Sequence, residues 1–454
     1  MKLFLSSILI LLTLGCSDNL DGNLERVIKH YDLRPLAVRS FEEDPKYILG
    51  QKLFFDNILS GNRDVSCATC HLWKRGSSDA LPQSIGTNAF GLGEQRKLLT
   101  GQKEHPRNSL DLWNRDNNDV RALFWDGRVE MIDPERRIFR TPMEDYLPAG
   151  LDNTLAVQAL FPLVRPDEML GRFGEGSSSN LPKEHSNKIN ELVIKEKFIS
   201  EKERIESAFN LIMERLLGKE LKTYWQKEYL LLFRSAYPKV QNDSFSIVHV
   251  ANALAHFEEL AFATRKTNWD DYLDGDKFAL NASSKRGALL FYGKGRCVSC
   301  HSGNLMSDFN YHNLGIPENG PGFNGNGEDL GRYYVTLEEK DKYKFRTPPL
   351  RNVSKTSPYF HNGIFSELES VIKHHTKISY FSDKYKEDGG FMLNKFQSTN
   401  LSPILVEGLD LNENDIKDLL SFLDSLSSST DPTMLGKIIP QKVPSNIKIH
   451  SIND

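Results

Sequence analysis

The spacing of apolar residues along this chain is helical over most of its length. Residues 247–264 repeat apolar positions at the three- and four-residue intervals of an amphipathic helix. Residues 412–425 do the same, and their acidic start, Asn412-Glu413-Asn414-Asp415, is typical of a helix N-terminus. Almost no segment alternates apolar and polar residues as a half-buried strand would. The pattern therefore predicts a mainly α fold.

Loops and one insertion interrupt the predicted helices. Residues 76–120 and 315–331 are rich in glycine and asparagine and predict long ordered loops, which in a compact domain are usually functional or clamped by a ligand. A Gly- and Ser-rich stretch at 174–179 precedes a charged and apolar run that extends to about 233. Its Lys/Glu alternation favours a solvated helix face over a docking site. We therefore predict a helical insertion at about 175–235.

The cysteines add the first indication of chemistry. Four of the five lie in two copies of Cys-x-x-Cys-His, with Cys67, Cys70 and His71 in one and Cys297, Cys300 and His301 in the other. This is the attachment motif of a c-type haem, in which both thiols bind the porphyrin and the histidine binds the iron. One copy alone could arise by chance or form half of a zinc site, but two copies favour two covalently bound haem c groups over structural disulfides.

The N-terminus predicts export. A basic Met1-Lys2 start is followed by an apolar stretch to Leu14, which is too short for a comfortable membrane-spanning helix, and then by Gly15-Cys16. This pattern predicts a lipoprotein signal, with lipid on Cys16 as the membrane contact. Thr13 stands where such signals usually carry leucine, so a plain cleaved signal peptide is the alternative. Haem attachment outside the cytoplasm agrees with a periplasmic location.

The length and charge complete the domain plan. A formal net charge of −4 and 39% hydrophobic residues are ordinary for a soluble globular protein, and no basic patch indicates nucleic-acid binding. The length supports two to three domains. We predict a signal peptide at 1–16, a tether at 17–44, haem domains of the cytochrome-c type at 45–265 and 266–430, and a tail at 431–454. Helices over about 45–60 and 283–292 are expected to lead into the two motifs.

Several segments resemble the bacterial di-haem cytochrome c peroxidases over about residues 45–425. They are Gly50-Gln51-Lys52-Leu53-Phe54-Phe55-Asp56, Ser66 with the first haem motif, Phe124-Trp125-Asp126-Gly127-Arg128, Thr347-Pro348-Pro349-Leu350-Arg351-Asn352 and Ser357-Pro358-Tyr359-Phe360-His361-Asn362-Gly363. The family also includes a branch that oxidises tryptophans of the methylamine dehydrogenase precursor. The resemblance implies a peroxidatic first haem and an electron-transfer second haem.

For the first haem, the resemblance implies an open iron face. Many family peroxidases carry a distal histidine sixteen residues after the motif histidine, but Thr87 stands there in this chain. His105 in the same loop could replace it, or could be a surface residue. The family's distal pair matches Gln158 and Glu168, which implies that Glu168 is the acid–base group, although an ordinary helix-start glutamate is the alternative.

For the second haem, the resemblance implies a departure from the family. The distal ligand is methionine in the peroxidases and tyrosine in the tryptophan-oxidising branch, whereas His375 occupies the position here. His374 points about 100° away around a helix and is the less favoured ligand. Trp125 corresponds to the tryptophan between the two haems, although packing alone would also explain a tryptophan in an α-helical core.

The resemblance also implies a Ca²⁺ ion between the domains. Its ligands would be the side chain of Asn108 and the carbonyls of Thr356 and Pro358, although such residues in loops are more often turn formers. Family peroxidases are often dimers, so a homodimer is an expectation that the resemblance alone carries.

Three functions are open at this point. The leading one is a peroxidase that reduces hydrogen peroxide with electrons from a small cytochrome or cupredoxin. The second is a peroxide-dependent oxidase of a protein or small substrate, which Thr87 and His375 favour. The third is a non-catalytic di-haem electron carrier, in which both irons have two axial ligands.

Overall fold

The structure, a computed structural model, describes residues 19–37, 40–99, 103–175, 190–193, 200–264, 266–376, 400–428 and 432–449. Its helices are α1 (Leu20–Tyr31), α2 (Pro45–Phe55), α3 (Cys67–Cys70), α4 (Thr154–Val164), α5 (Glu201–Leu217), α6 (Tyr224–Ala236), α7 (Ile247–Ala261), α8 (Asn268–Leu273), α9 (Ala282–Tyr292), α10 (Tyr333–Thr336), α11 (Leu368–Thr376), α12 (Pro403–Glu407), α13 (Glu413–Ser425) and α14 (Pro432–Ile438). This content confirms the mainly α prediction. In the described ranges, no helix combines the length and the apolar character that crossing a membrane requires.

The described strands are short and antiparallel. They are β1 (Ala89–Phe90), β2 (Lys97–Leu98), β3 (Ala122–Leu123), β4 (Val129–Asp133), β5 (Ile138–Arg140), β6 (Tyr311–His312) and β7 (Phe345–Arg346). β1 pairs with β2, β6 pairs with β7, and β3, β4 and β5 form one small sheet in that order. The first pair lies in the predicted loop 76–120, and the β6–β7 pair flanks the predicted loop 315–331.

The first helix pair consists of α2 and α7. α2 begins at Pro45, and the Asp44 side chain accepts a hydrogen bond from the Tyr47 N–H at 2.8 Å, as an N-cap does. Gly50 lets the two helices touch, because a Cβ there would lie 1.9 Å from the carbonyl oxygen of Ala253. The larger hydrophobic core packs around this pair and includes the buried Phe54.

The second helix pair, α9 and α13, repeats this contact. A Cβ on Gly287 of α9 would lie 1.9 Å from the carbonyl oxygen of Asp418 on α13. Asn412 caps α13 by accepting from two backbone N–H groups, as its acidic start predicted. A second, smaller core surrounds this pair, with Trp269 packed edge-on against Phe422 at 5.2 Å between ring centroids. The first helix of each pair precedes one Cys-x-x-Cys-His motif.

Each end of the described chain packs on the core that is distant from it in sequence. Leu24 of α1 is buried in the smaller core with the second helix pair. At the other end, the carbonyl of Lys437 accepts hydrogen bonds from the Tyr47 hydroxyl at 2.9 Å and from Gln51 Nε2 at 2.7 Å. Ser445 then donates its N–H and hydroxyl to the buried carboxylate of Asp56. Residues 432–449 are therefore packed against α2.

Candidate haem sites

The first motif forms one short helix, α3, at the end of a turn. The Ser66 N–H donates to the Thr69 hydroxyl at 3.0 Å, and His71 follows with its N–H bonded to the carbonyl of Cys67 at 3.0 Å. His71 Nδ1 lies 3.1 Å from the carbonyl oxygen of Ser77. Since a carbonyl only accepts, Nδ1 carries the proton and Nε2 keeps its lone pair for a metal.

The second motif has the same arrangement. The His301 N–H donates to the carbonyl of Cys297 at 2.9 Å, and His301 Nδ1 donates to the carbonyl of Met306 at 3.0 Å. Burial, with a smaller contribution from nearby His375, lowers the pKa of His301 to about 4. The imidazole is therefore neutral at neutral pH, which is the form that binds iron.

His375 and His301 line one cavity. His375 Nδ1 donates to the carbonyl of Val371 at 2.8 Å within α11, so its Nε2 also keeps a lone pair. His374 is turned elsewhere. Its Nε2 contacts the carbonyl of Leu314 at 2.7 Å, and its ring packs at 5.7 Å from that of Phe360. The geometry brings the two predicted ligands, but not His374, to this cavity.

The cavity fits a porphyrin held by two thiols and two imidazoles. Its lining is mostly apolar and includes Leu368, Ile372, Leu405, Leu419 and Leu423, together with both cysteines of the second motif. None of the four cysteines in the described ranges forms a disulfide, so all four thiols fit thioether attachment. The donor set therefore suits a covalently attached haem at each motif.

At the first motif, Thr87 stands at the position of the family's distal histidine and is bonded to residues outside the loop 76–120. The Thr87 hydroxyl donates to Asp64 Oδ1 at 2.7 Å and accepts from Asn62 Nδ2 at 2.9 Å. The Thr87 N–H donates to the carbonyl of Glu168 at 2.8 Å. Gly86 allows this approach, since a Cβ there would lie 2.1 Å from the carbonyl oxygen of Asp167.

Glu168 lies on a π-helical turn, Pro166–Leu170, directly after α4. Its Oε1 is 3.2 Å from His105 Nε2 and 3.8 Å from Arg165 Nε. Burial raises the pKa of Glu168, but His105, Arg165 and Arg128 together outweigh it, so the net pKa is lowered. The group is therefore a carboxylate at neutral pH. Gln158 is half-buried on α4, and no hydrogen bond joins it to Glu168 within the described residues.

The first motif is within electrostatic reach of this carboxylate. Burial raises the pKa of the Cys70 thiol to about 12, and the charge of Glu168 adds to that effect. Burial lowers the pKa of His71, against smaller opposing effects of the Ser77 carbonyl, Asp111 and Glu168. These contributions indicate that Glu168 lies near the first motif, and its membership of the haem site stays a prediction.

Trp125 contacts residues that are distant from each other in sequence. Its Nε1 donates to the carbonyl of Asn108 at 3.0 Å, and its own carbonyl accepts from the Arg346 N–H at 2.8 Å. The ring is 9% exposed and lines the same cavity as His301. Trp125 is thus held from both halves of the chain.

A buried ion network surrounds this tryptophan. Arg107 donates to both carboxylate oxygens of Asp329, at 2.6 and 2.8 Å, and to Asp126 at 2.8 Å. Arg128 donates to the other oxygen of Asp126 at 3.0 Å. All of these side chains except Arg128 are no more than 3% exposed. The sequence prediction missed this network, because Arg107 and Asp329 are 222 residues apart.

The three predicted calcium ligands line the large cavity together. Asn108 Nδ2 donates to the carbonyl of Leu81 at 2.8 Å, and Thr356 and Pro358 approach from the other half of the chain. An amide oxygen and loop carbonyls are suitable ligands for a hard cation. The donor set fits Ca²⁺, and the ion itself stays a prediction.

Comparison with known proteins decides the family. The family model described as "Di-haem cytochrome c peroxidase" matches residues 44–278, which is more than half of the chain. The chain belongs to the di-haem cytochrome c peroxidase family. As a member, it is a c-type di-haem oxidoreductase of the peroxidase type, and the resemblance stated from the sequence is confirmed.

Relatives of this di-haem protein cover most of its length. Cytochrome-c peroxidase IdrP1 of Pseudomonas sp. (strain SCT) is 27% identical over 434 residues, covering 88% of this chain and 86% of the relative. Methylamine utilization protein MauG of Methylorubrum extorquens is 26% identical over 401 residues, covering 87% and 83%. Cytochrome c551 peroxidase of Pseudomonas aeruginosa is 29% identical over 324 residues, covering 71% and 69%.

Solved structures share the fold of this di-haem protein. A MauG-like protein associated with microbial copper homeostasis aligns with a TM-score of 0.57 and 23% identity, covering 88% of this chain and 96% of its own. The diheme peroxidase BthA from Burkholderia thailandensis aligns with a TM-score of 0.55 and 19% identity, covering 91% and 92%. At these identities the likeness concerns the fold alone.

Two polar groups near the haem motifs were not predicted as site residues from the sequence. His312 contacts Asp308 at 3.0 Å, and together with Cys300 their ligand atoms lie within 4.8 Å of one another. Because Cys300 belongs to an attachment motif, this cluster forms part of the surroundings of the second haem. The pair follows His301 at a spacing that carries no motif, so only the fold reveals it.

Proposed function

We propose that this protein is a peroxidase that reduces hydrogen peroxide to water with electrons from a small cytochrome or cupredoxin. Bound haem c groups supply the iron chemistry and electron transfer that side chains cannot. The observation that carries the proposal is the inequality of the two sites. A carboxylate, Glu168, accompanies the first motif, whereas a second imidazole, His375, accompanies the second.

Glu168 is suited to move a proton during peroxide cleavage. Peroxide reduction requires a proton to leave one oxygen and reach the other, and a positioned carboxylate can accept it and return it. The lowered pKa of Glu168 keeps the acceptor form available at neutral pH. Gln158, on the helix before Glu168, is proposed as its polar partner in holding the substrate.

His301 and His375 are suited to a site that transfers electrons only. Two neutral imidazoles with their Nδ1 atoms held by backbone carbonyls leave both Nε2 atoms for one iron. An iron held by both His301 and His375 would have no position left for peroxide. Trp125, buried and held from both halves of the chain, is proposed as the bridge between the two sites.

Steady-state kinetics of the haem-loaded protein test this function. We expect peroxide-dependent oxidation of a reduced small cytochrome, cupredoxin or redox dye. Glu168→Gln should lower kcat/KM for peroxide by about 10²- to 10⁴-fold, as the loss of a general acid–base group does. The Glu259→Gln variant is a control, because Glu259 is a partly buried carboxylate on α7 that contacts His256. A fully loaded protein that turns over no peroxide with any donor would sink the proposal.

A peroxide-dependent oxidase of a protein or small substrate is the second candidate. Thr87 favours it, because this position lacks the distal histidine of many family peroxidases and the hydroxyl is bonded to Asp64. Mass spectrometry of candidate partners after peroxide addition distinguishes the two functions. Oxidative modification of a partner without cytochrome oxidation would support the oxidase.

The remaining proposals concern organisation. We propose two cytochrome-c-like haem domains, 45–265 and 266–430, which the repeated Gly50 and Gly287 helix contacts support.

The predicted signal and Cys16 lie outside the described residues, as do parts of the insertion 175–235. We propose periplasmic anchoring through lipid on Cys16, tested by release of Cys16→Ser from membranes. Metal analysis of Asn108→Ala tests the calcium site, and sedimentation tests the homodimer.

A further inference from the structure

His105 is fixed beside Glu168 by both its backbone and its side chain. Its N–H donates to the carbonyl of Ser84 at 2.8 Å, which joins the two ends of the loop that carries Thr87. Its Nε2 lies 3.2 Å from Glu168 Oε1. The side chains of His105 and Glu168 are 21% and 25% exposed, so their contact is partly shielded from water.

The other nitrogen of His105 has a partner in either protonation state. Nδ1 lies 3.1 Å from the carbonyl oxygen of Arg107 and 3.3 Å from the N–H of the same residue. A neutral ring with its proton on Nε2 accepts at Nδ1 from the N–H, and a charged ring donates from Nδ1 to the carbonyl. In both states Nε2 carries a proton that points to Glu168.

We propose that His105 is a positioning residue for Glu168, donating from Nε2 to Oε1 so that Oε2 is left to exchange a proton with peroxide. This rests on the proposed function, in which Glu168 is the acid–base group. It assigns His105 a role different from iron ligation. The contact with Glu168 occupies the nitrogen that an iron would need, and the Arg107 backbone occupies the other.

The charges around the pair favour this arrangement. Arg165 lies 3.8 Å from Glu168 Oε1, and the half-buried Arg128 acts on Glu168 at longer range. Against the effect of burial, which raises the pKa of Glu168, the hydrogen bond and charge of His105 are the largest lowering influences. Removing His105 should therefore raise the pKa of Glu168, because its carboxylate loses its main donor.

The test compares His105→Leu, which removes the donor, with His105→Gln, which restores a neutral N–H. The first readout is a pH titration of the oxidised absorption spectrum of the first haem, in which the Glu168 transition is the one that Glu168→Gln abolishes. We expect His105→Leu to move this transition to higher pH and His105→Gln to move it less. This readout needs no turnover, so it stays valid if peroxidase activity is absent.

The second readout is kcat/KM for peroxide as a function of pH. His105→Leu should lower it about tenfold or more at neutral pH, the effect of losing a charge-assisted hydrogen bond, and should shift its acid limb upward. In the Glu168→Gln background the same change should have little further effect. His256→Leu is the matched control, because His256 pairs with Asp44 at 2.8 Å in the same half of the chain.

Three results would overturn the proposal. An unchanged Glu168 transition in His105→Leu would show that the pair is not coupled. Equal losses of activity with and without the Glu168 carboxylate would show that His105 is merely structural. Conversion of a low-spin first haem to high spin in His105→Leu would show that His105 binds the iron instead. Absence of peroxide turnover in the wild type, with a shifted transition in His105→Leu, would reject only the proposed function.

Discussion

At the scale of single residues, three histidines make the same kind of hydrogen bond. His71, His301 and His375 each donate from Nδ1 to a backbone carbonyl, at 3.1, 3.0 and 2.8 Å. Each carbonyl fixes the tautomer and orients the ring, so that Nε2 is the nitrogen whose lone pair is available to a metal. The carbonyl partners come from turns that follow the two motifs and from the preceding turn of α11. Local backbone geometry thus orients all three imidazole rings and sets their tautomer in the way that iron binding requires.

Replacing His375 by methionine tests its assignment as an axial ligand. Because methionine raises the potential of a haem relative to a second histidine, His375→Met should raise the second potential by on the order of 100 mV, within the ~0.8 V range that axial ligands span. A spectropotentiometric titration measures this shift. His374→Gln is the control, since His374 Nε2 is bonded to the carbonyl of Leu314. A shift in the control but not in His375→Met would assign the ligand to His374.

Residue types and spacing predicted the motif residues but not their partners. The absence of a distal histidine at Thr87 could be recognised from the sequence, because that position is counted from the motif histidine, His71. The contact between His105 and Glu168 could not be predicted, since the two residues are 63 positions apart in sequence, with loop, strand and helix between them. The burial of Arg107 could not be predicted either, because a single arginine in a loop has no periodicity that indicates burial.

At the scale of elements, two glycines set the closest helix contacts. Gly50 on α2 and Gly287 on α9 each face a carbonyl on the partner helix, where a Cβ would lie only 1.9 Å away. Backbone cannot yield as a flexible side chain would, so a larger residue forces the helices apart. Because each first helix leads into a haem motif, such a shift also moves the attachment site.

Alanine at either glycine should destabilise the protein. We expect Gly50→Ala and Gly287→Ala each to cost about 1–3 kcal/mol by overpacking. Denaturant unfolding of the haem-loaded protein measures this cost. Gly436→Ala is the control, because Gly436 lies on α14 with nothing within 4 Å of the added Cβ. It should be neutral or stabilise by up to about 1 kcal/mol through helix propensity. Equal effects at all three positions would contradict the close-contact explanation.

Periodicity predicted the long helices well and the short elements poorly. α7 and α13 lie within the segments 247–264 and 412–425 that the apolar spacing indicated. The two-residue strands of β1, β2, β6 and β7 are too short to show any alternation. Their pairing depends on loop contacts that are not local in sequence, so no pattern could have indicated it.

At the scale of the whole molecule, two features connect the two halves of the chain. Each end of the described chain packs on the half that is distant from it in sequence, and a buried ion network joins residues of both halves. α1 packs on the core of the second helix pair, and residues 432–449 pack on α2. The fully buried Arg107 binds Asp126 in its own half of the chain and Asp329 in the other half. These long-range connections explain why the length and the two haem motifs could suggest two domains but not how they are joined.

Removing one charge from this network should be costly. Asp329→Asn leaves the buried Arg107 with a single carboxylate partner, and we expect a loss of about 3–5 kcal/mol of unfolding free energy. Denaturant unfolding monitored by tryptophan fluorescence measures it. Asp32→Asn is the control, because Asp32 and Arg34 form an exposed pair worth at most about 1 kcal/mol. A small loss at Asp329, similar to that at Asp32, would contradict a structural role for the network.

The same network predicts the acid response. Burial raises the pKa values of Asp126 and Asp329. Arg107, together with Arg128 at Asp126 and with His361 and the Gly331 N–H at Asp329, outweighs burial and leaves both pKa values below their usual range. Carboxylates with lowered folded pKa values stabilise a protein above their unfolded pKa, about 4, and lose this contribution as the pH falls. The difference in stability between wild type and Asp329→Asn should therefore shrink below about pH 4.

The two haem sites are proposed to be unequal, with one open iron and one closed by His375. The most direct test is the electron paramagnetic resonance spectrum of the oxidised, fully loaded protein and of His375→Ala. We expect one high-spin and one low-spin haem in the wild type, and conversion of only the low-spin signal to high spin in the variant. A wholly low-spin wild type, as in an electron carrier, or a low-spin signal that survives in His375→Ala would contradict it.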